Sequence, residues 1–225
     1  MTGRDPVAGI AALGDPLRRR LYDYVCSQQG AVSREQAAEA LDLPHHKVKF
    51  HLDRLTEEGL LDVHYARTSG RTGPGAGRPS KLYRRAAGEV AVSLPARDYA
   101  LAGELLAAAI DETRSTGGDA AARLGDLAAE RGRALASDLA AVDGDSLDRA
   151  GALLARHGYE PRREGSRSTL HNCPFHALAR QHTDLVCTMN LRLIEGVVSS
   201  LDDVDAKLDP APERCCVVLE AARRS

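Results

Sequence analysis

The chain has no tryptophan and only two phenylalanines in 225 residues. Aromatic residues make up 4% of it, too few for the stacked aromatic platform by which proteins hold single-stranded nucleic acid. No apolar run is long enough to cross a bilayer, and the first residues carry no signal-peptide pattern. The chain is therefore expected to act in the cytoplasm, with no membrane partner. It has five cysteines but no CxxC pair, so the spacing of a zinc knuckle is missing. In a reducing compartment such cysteines point to metal binding, thiol chemistry or plain burial, not to a disulfide framework. No phosphate-binding glycine motif and no oxyanion loop is present. Although Cys173 and Cys187 have histidines nearby in sequence, no acid is placed to orient them, so an enzyme is not expected.

Acid is also missing between Arg67 and Arg84, a stretch with five Lys/Arg and abundant Gly and Pro. Such a segment has little to bury and should project as a flexible positive finger. The formal net charge of −2 hides an asymmetry. Residues 1–88 hold 14 Lys/Arg against 10 Asp/Glu, whereas the remainder holds 16 against 22. A polyanion responds to local charge, so the first part is the expected nucleic-acid half.

Asp15-Pro16 has the form of a helix start, and Leu17, Leu21 and Val25 recur at helical spacing until Gly30. Ser33-Arg34-Glu35-Gln36 is a capping-box pattern opening a second helix through Leu41. Asp42-Leu43-Pro44 is the turn into a third, in which Val48, Leu52 and Leu55 face the core and Gly59 is the expected cap. Leu60 to Tyr65 and Lys81 to Arg85 are the expected strands of a wing around the basic loop. Together these elements predict a winged helix-turn-helix over residues 1–88. Its third helix would read double-stranded DNA with His45, His46, Lys47, Lys49 and Arg54. Arg67, Arg71, Arg78 and Lys81 on the wing would hold phosphates or enter the minor groove. His51 is expected to be an interior, hydrogen-bonded histidine, and Cys26 an inert core residue.

Residues 89–145 read as a linker followed by alanine-rich helices, about 97–114 and then to about 141, broken at Gly117-Gly118. Helices with few large side chains allow close approach of another helix. They serve either as a dimer contact or as cover for a C-terminal sheet. Residues 146–225 predict a small α+β domain: a helix over 146–157, a hairpin around Gly165, a helical stretch over 174–201 and a last strand at about Cys215–Glu220. The predicted fold class is thus α+β, a winged helix-turn-helix, a helical segment and an antiparallel-sheet domain.

Four cysteines fall in that last part. Cys173, just before Pro174, is expected at a helix N-cap, and Cys187 in the first turn of a helix beginning at Thr183-Asp184; both positions favour a thiolate. Cys215 and Cys216 would begin a strand, where neighbours point to opposite faces, so that only one joins a shared site. Plain burial is the competing reading, because Cys187, Leu191, Ile194 and Val198 share one helical face.

The run Leu52-Asp53-Arg54-Leu55-Thr56-Glu57-Glu58-Gly59-Leu60-Leu61, followed by Gly77-Arg78-Pro79 and Tyr83, resembles the winged-helix repressors grouped with the ArsR-like regulators, over about residues 10–88. The resemblance implies a homodimer acting on a near-palindromic operator. The segment from Leu170 to Leu219 is similar to the C-terminal region of SufR-type regulators, the iron–sulfur-sensing repressors of cluster-assembly genes. Asn172-Cys173-Pro174, Leu185-Val186-Cys187 and Cys215 carry that match. In the family, three cysteines separated by twelve and then twenty-seven residues ligate the cluster; here the gaps are thirteen and twenty-seven. The implied ligands are Cys173, Cys187 and Cys215, with His171, His176, His182 and Cys216 as candidates for a fourth. Zinc, thiol oxidation or a small molecule in a C-terminal cavity are the alternative signals.

Overall fold

The structure is a computed structural model that describes residues 5–66, 79–141 and 143–222. The chain divides after Val92 into two compact units.

In the first unit, α1 (Pro6–Ala12) precedes α2 (Pro16–Ser27). Asp15 caps α2 by accepting the amides of Leu17 and Arg18 at 2.9 and 3.0 Å, with Pro16 at the first position. This is the start expected from the sequence. The short β1 (Val32–Ser33) runs into α3 (Arg34–Leu41). Ser33 and Gln36 close the expected capping box reciprocally, with Ser33 N–H donating to Gln36 at 2.8 Å and Gln36 N–H donating to Ser33 at 3.1 Å. Asp42 takes the left-handed conformation, φ 53°, which turns the chain sharply into α4 (His45–Glu57). Gly59, φ 75°, ends α4. Its N–H bonds Thr56 and the N–H of Leu60 bonds Leu55, the paired closure that only a left-handed residue permits. Then β2 (Leu61–Ala66) and β3 (Ser80–Arg85) form the antiparallel wing, with β1 added on the far side of β3. The core is built from Leu21, Val48, Leu52, Leu55, Leu61 and Tyr83. Cys26 is not the plain core residue expected. It is half-buried at the core's edge, with its thiol against the Tyr22 hydroxyl.

The second unit opens with α5 (Tyr99–Thr116), capped by Asp98 and ended by left-handed Gly117. It continues through α6 (Ala120–Leu135), a 3-10 turn (Ala136–Ala141) and α7 (Ser146–Arg156). The hairpin β4 (Pro161–Glu164) and β5 (Arg167–Leu170) follows, then α8 (His176–Gln181), α9 (Thr183–Val198), β6 (Val204–Leu208) and β7 (Val217–Ala221). The antiparallel sheet runs β4-β5-β7-β6. The helices α5 and α6 share one core with α7, α9 and the sheet. The segment 89–145 is therefore mostly part of the C-terminal unit, its helices packing as cover for the sheet. The close helix approach that small residues permit occurs within the chain: Gly132 of α6 lies on the backbone of α9, and Gly196 of α9 on that of α6.

Candidate nucleic-acid interface and sulfur site

Burying Val48, Leu52 and Leu55 on one face of α4 leaves His45, His46, Lys47 and Lys49 exposed at its N-terminal end. No side chain caps that end, so its first amide groups and positive dipole add to the cations. Phe50, which the sequence reading passed over, is 64% exposed on the same face. His51 is buried, and Arg18 Nε donates to its Nδ1 at 3.5 Å. Burial holds the imidazole below its ordinary pKa, against the pull of Asp15.

Two of the predicted contacts are engaged elsewhere. Arg54 pairs with Glu57 at 3.6 Å and Glu58 at 2.5 Å on its own helix. Lys81 pairs with Asp53 of α4 at 2.5 Å, and the Tyr83 hydroxyl donates to the same carboxylate at 3.2 Å. Burial opposes the Lys81 charge, yet Asp53 and Tyr83 outweigh it and hold the ammonium above its ordinary pKa. Lys81 thus pins the wing to α4. Arg67, Arg71 and Arg78 lie outside the described residues.

In the second unit the loop between β5 and α8, the second turn of α9 and the approach to β7 bring four cysteines together. The thiols of Cys173 and Cys216 each influence the titration of Cys215, and that of Cys216 also interacts with Cys187. Cys173, Cys187 and Cys215 are buried and Cys216 half-buried. Asn190, fully buried on α9, donates to Cys215 Sγ at 3.1 Å and accepts from the Tyr159 hydroxyl at 2.5 Å. The thiols of Cys173 and Cys216, the Val217 N–H and Asn190 all favour negative charge on Cys215, so its pKa falls despite burial. Those of Cys173 and Cys216 rise, because each is the donor to Cys215.

Three local expectations change. α8 begins at His176, with Phe175 as its cap, because the Cys173-Pro174-Phe175 stretch forms a turn of its own; Cys173 is not an N-cap. The helix of Cys187 begins at Thr183, which places this sulfur in the second turn, on the buried face. Cys215 and Cys216 precede β7 rather than begin it, so strand alternation does not separate them and both sulfurs join the row. Among the fourth-ligand candidates, Cys216 meets the other sulfurs. His171 Nε2 instead lies 3.2 Å from Thr169, and His176 and His182 are exposed. Among the described residues no group of three or more His, Cys, Asp or Glu converges to hold one metal ion.

Asn172 anchors this site. Its amide donates to the carbonyls of Ala96 at 2.8 Å and Gly158 at 2.5 Å, and its oxygen accepts from Arg97. Arg97 also donates to the Cys173 carbonyl at 3.3 Å, and Asp98 N–H to that of Pro174 at 3.1 Å. Residues 96–98, which lead into α5, are in this way stitched to the loop that carries Cys173. In the sequence Asn172 stands out only as part of the Asn172-Cys173-Pro174 run and Asn190 not at all, since a buried amide has no pattern of its own.

Residues 13–64 match the family described as a helix-turn-helix domain. The chain carries a helix-turn-helix domain. The match spans α2, α3, α4 and the first four residues of β2, the elements that present the cationic face of α4. Such a domain supports a DNA-binding transcriptional regulator. No curated protein and no solved structure matches the chain. No helix among the described residues is long and apolar enough to cross a membrane.

Proposed function

We propose that the chain is a dimeric, cytoplasmic repressor of the ArsR-like winged type, resembling SufR-type regulators. Its operator affinity would be set by an iron–sulfur cluster in the C-terminal unit. The observation that carries this reading is the sulfur row. Cys173, Cys187 and Cys215, far apart in sequence, meet in one buried place, with Cys216 as the fourth donor. Soft thiolates suit iron–sulfur clusters. A cluster bonds its cysteines through different irons, so they need not converge on one point as zinc ligands must. Cluster loading would supply one-electron chemistry and sensitivity to oxidants.

The chain's own residues supply the relay. Asn172 and Arg97 tie the Cys173 loop to residues 96–98, so parting Cys173 from Cys215 would pull on the segment that joins the two units. In a dimer, such a pull changes the separation of the recognition helices, which must match one turn of DNA, about 34 Å. The small-residue face of α5, with Gly103, Ala107 and Ile110 exposed, would accept a second copy.

The test is operator binding by protein prepared without oxygen, before and after removal of iron. A tighter iron-loaded form, with the difference lost in Cys187→Ser, supports the reading; equal binding by loaded and stripped protein opposes it. A second reading is favoured by the contact of Cys173 with Cys215. Their two thiols could give two protons and two electrons to hydrogen peroxide, forming a disulfide and two waters. That reading predicts peroxide-sensitive repression in iron-free protein.

A further inference from the structure

We infer that Phe50 reads DNA by receiving the 5-methyl group of thymine in the major groove. The inference rests on the reading that α4 enters that groove. The two phenylalanines of the chain have opposite fates. Phe175 is 1% exposed in the C-terminal core, whereas Phe50 is 64% exposed on α4. Phe50 stands four residues after His46 and three before Asp53, so the three share the stripe of α4 opposite Val48, Leu52 and Leu55. This is the middle of the face that a recognition helix presents, not its margin.

The surroundings suit a polyanion. Phe50, His46, Lys49, Arg18 and Arg54 line one open groove together with Asp53 and Glu57. The nearest acid on the stripe, Asp53, is already held by Lys81 and Tyr83. Its charge is therefore offset before any phosphate approaches. Glu57, one turn further, limits the contact to the N-terminal part of the helix. The ring of Phe50 rests edge-to-face with His51, centroids 5.3 Å apart. Because His51 is buried, this contact steadies the ring from the protein side and leaves its outer side open.

The chemistry narrows what the ring can recognise. A phenyl group offers no hydrogen-bond donor or acceptor, and the thymine methyl is the one apolar group that base pairs display in the major groove. Phe50 would thus select thymine over cytosine at one position in each half-site. His46 and Lys49, beside it, would address base acceptors or phosphates. A second copy of the chain is the competing occupant of this ring. The cations around it would oppose two like surfaces, and favour DNA.

The experiment begins by enriching a random duplex pool on the full-length chain prepared without oxygen. From the enriched site, duplexes are made in which each thymine is replaced singly by deoxyuridine, which removes only the methyl group. The account expects one position per half-site where this change weakens wild-type binding roughly fourfold, the value of one buried methyl. Phe50→Ala should bind the thymine site weaker by at least that factor and be indifferent to deoxyuridine there. Its sedimentation and circular dichroism should match wild type. If Phe50→Ala keeps the wild-type affinity and the same deoxyuridine sensitivity, the inference is overturned while DNA binding stands. A change of oligomeric state in Phe50→Ala, without a change in base preference, overturns it in favour of a contact between copies. Failure to enrich any duplex overturns the DNA-binding reading and this inference with it.

Discussion

Gly132 and Gly196 lie against each other's helix where α6 crosses α9, so close that a methyl group on either would meet the opposite backbone. Leu193 and Val197 face Gly132, and Ala129 faces Gly196. This crossing fixes α9, and α9 carries both Cys187 and Asn190. The backbone on either side cannot move aside as a flexible side chain would.

Gly132→Ala or Gly196→Ala should therefore destabilise the C-terminal unit by about 3 kcal/mol. Gly103→Ala is the control: it sits inside α5 with nothing within 4 Å, so it should stabilise by about 0.5–1 kcal/mol. Calorimetric unfolding of the three variants checks the contrast. Similar behaviour at all three positions would contradict the crossing.

His51 gives the DNA-binding unit a pH dependence. Burial holds its folded pKa below the ordinary 6.5, so the unfolded chain binds the proton more readily. Stability is then full above about pH 6.5 and falls as acid drives the proton on. The unfolding transition of this unit should come at a lower temperature at about pH 5.5 than at about pH 7.5. In His51→Gln that difference should shrink. An unchanged difference would assign the effect to other groups.

The cations of α4 should not be equivalent. Lys49 is exposed and its replacement by alanine should weaken binding to all sequences. The slope of log affinity against log salt should become shallower by about 0.9, one phosphate contact. Arg54, already paired with Glu57 and Glu58, should change the slope far less. Equal changes would mean that Arg54 leaves its partners for DNA.

Asn172→Ala removes the bonds to Ala96 and Gly158 but leaves every cysteine in place. It should keep bound iron and sulfide while the operator affinities of loaded and stripped protein draw together. The cost in stability should be about 1 kcal/mol, since the carbonyls of Ala96 and Gly158 lose a part-buried donor. Retention of the full affinity difference would mean that the signal travels by another route.

The helix-turn-helix was largely legible in the sequence because each of its boundaries rests on local chemistry: Asp15-Pro16, the Ser33–Gln36 box and Gly59. The short α1 was missed because Val7-Ala8-Gly9 offers no repeat of large apolar residues. In β6, Val204-Asp205-Ala206-Lys207-Leu208 alternates, but the run is short and carries only one buried residue, Val204. The positions of Cys173 and Cys187 near helix starts hint at a shared site, but its arrangement is not local, because the turns around Cys173 and Cys215 are set by tertiary bonds. Cys215 N–H, for one, bonds the Leu170 carbonyl at 2.7 Å, a contact that no local pattern announces. Asn172 and Asn190 act through partners distant in sequence and leave no spacing to read.

The most direct test of the sulfur site is the ultraviolet–visible spectrum of the full chain purified without oxygen, with iron, sulfide and zinc quantified in the same sample. The account predicts a brown protein with matched iron and sulfide, and loss of both in Cys173→Ser, Cys187→Ser and Cys215→Ser. A colourless protein free of iron, in which these three variants still release DNA like the wild type, would contradict it.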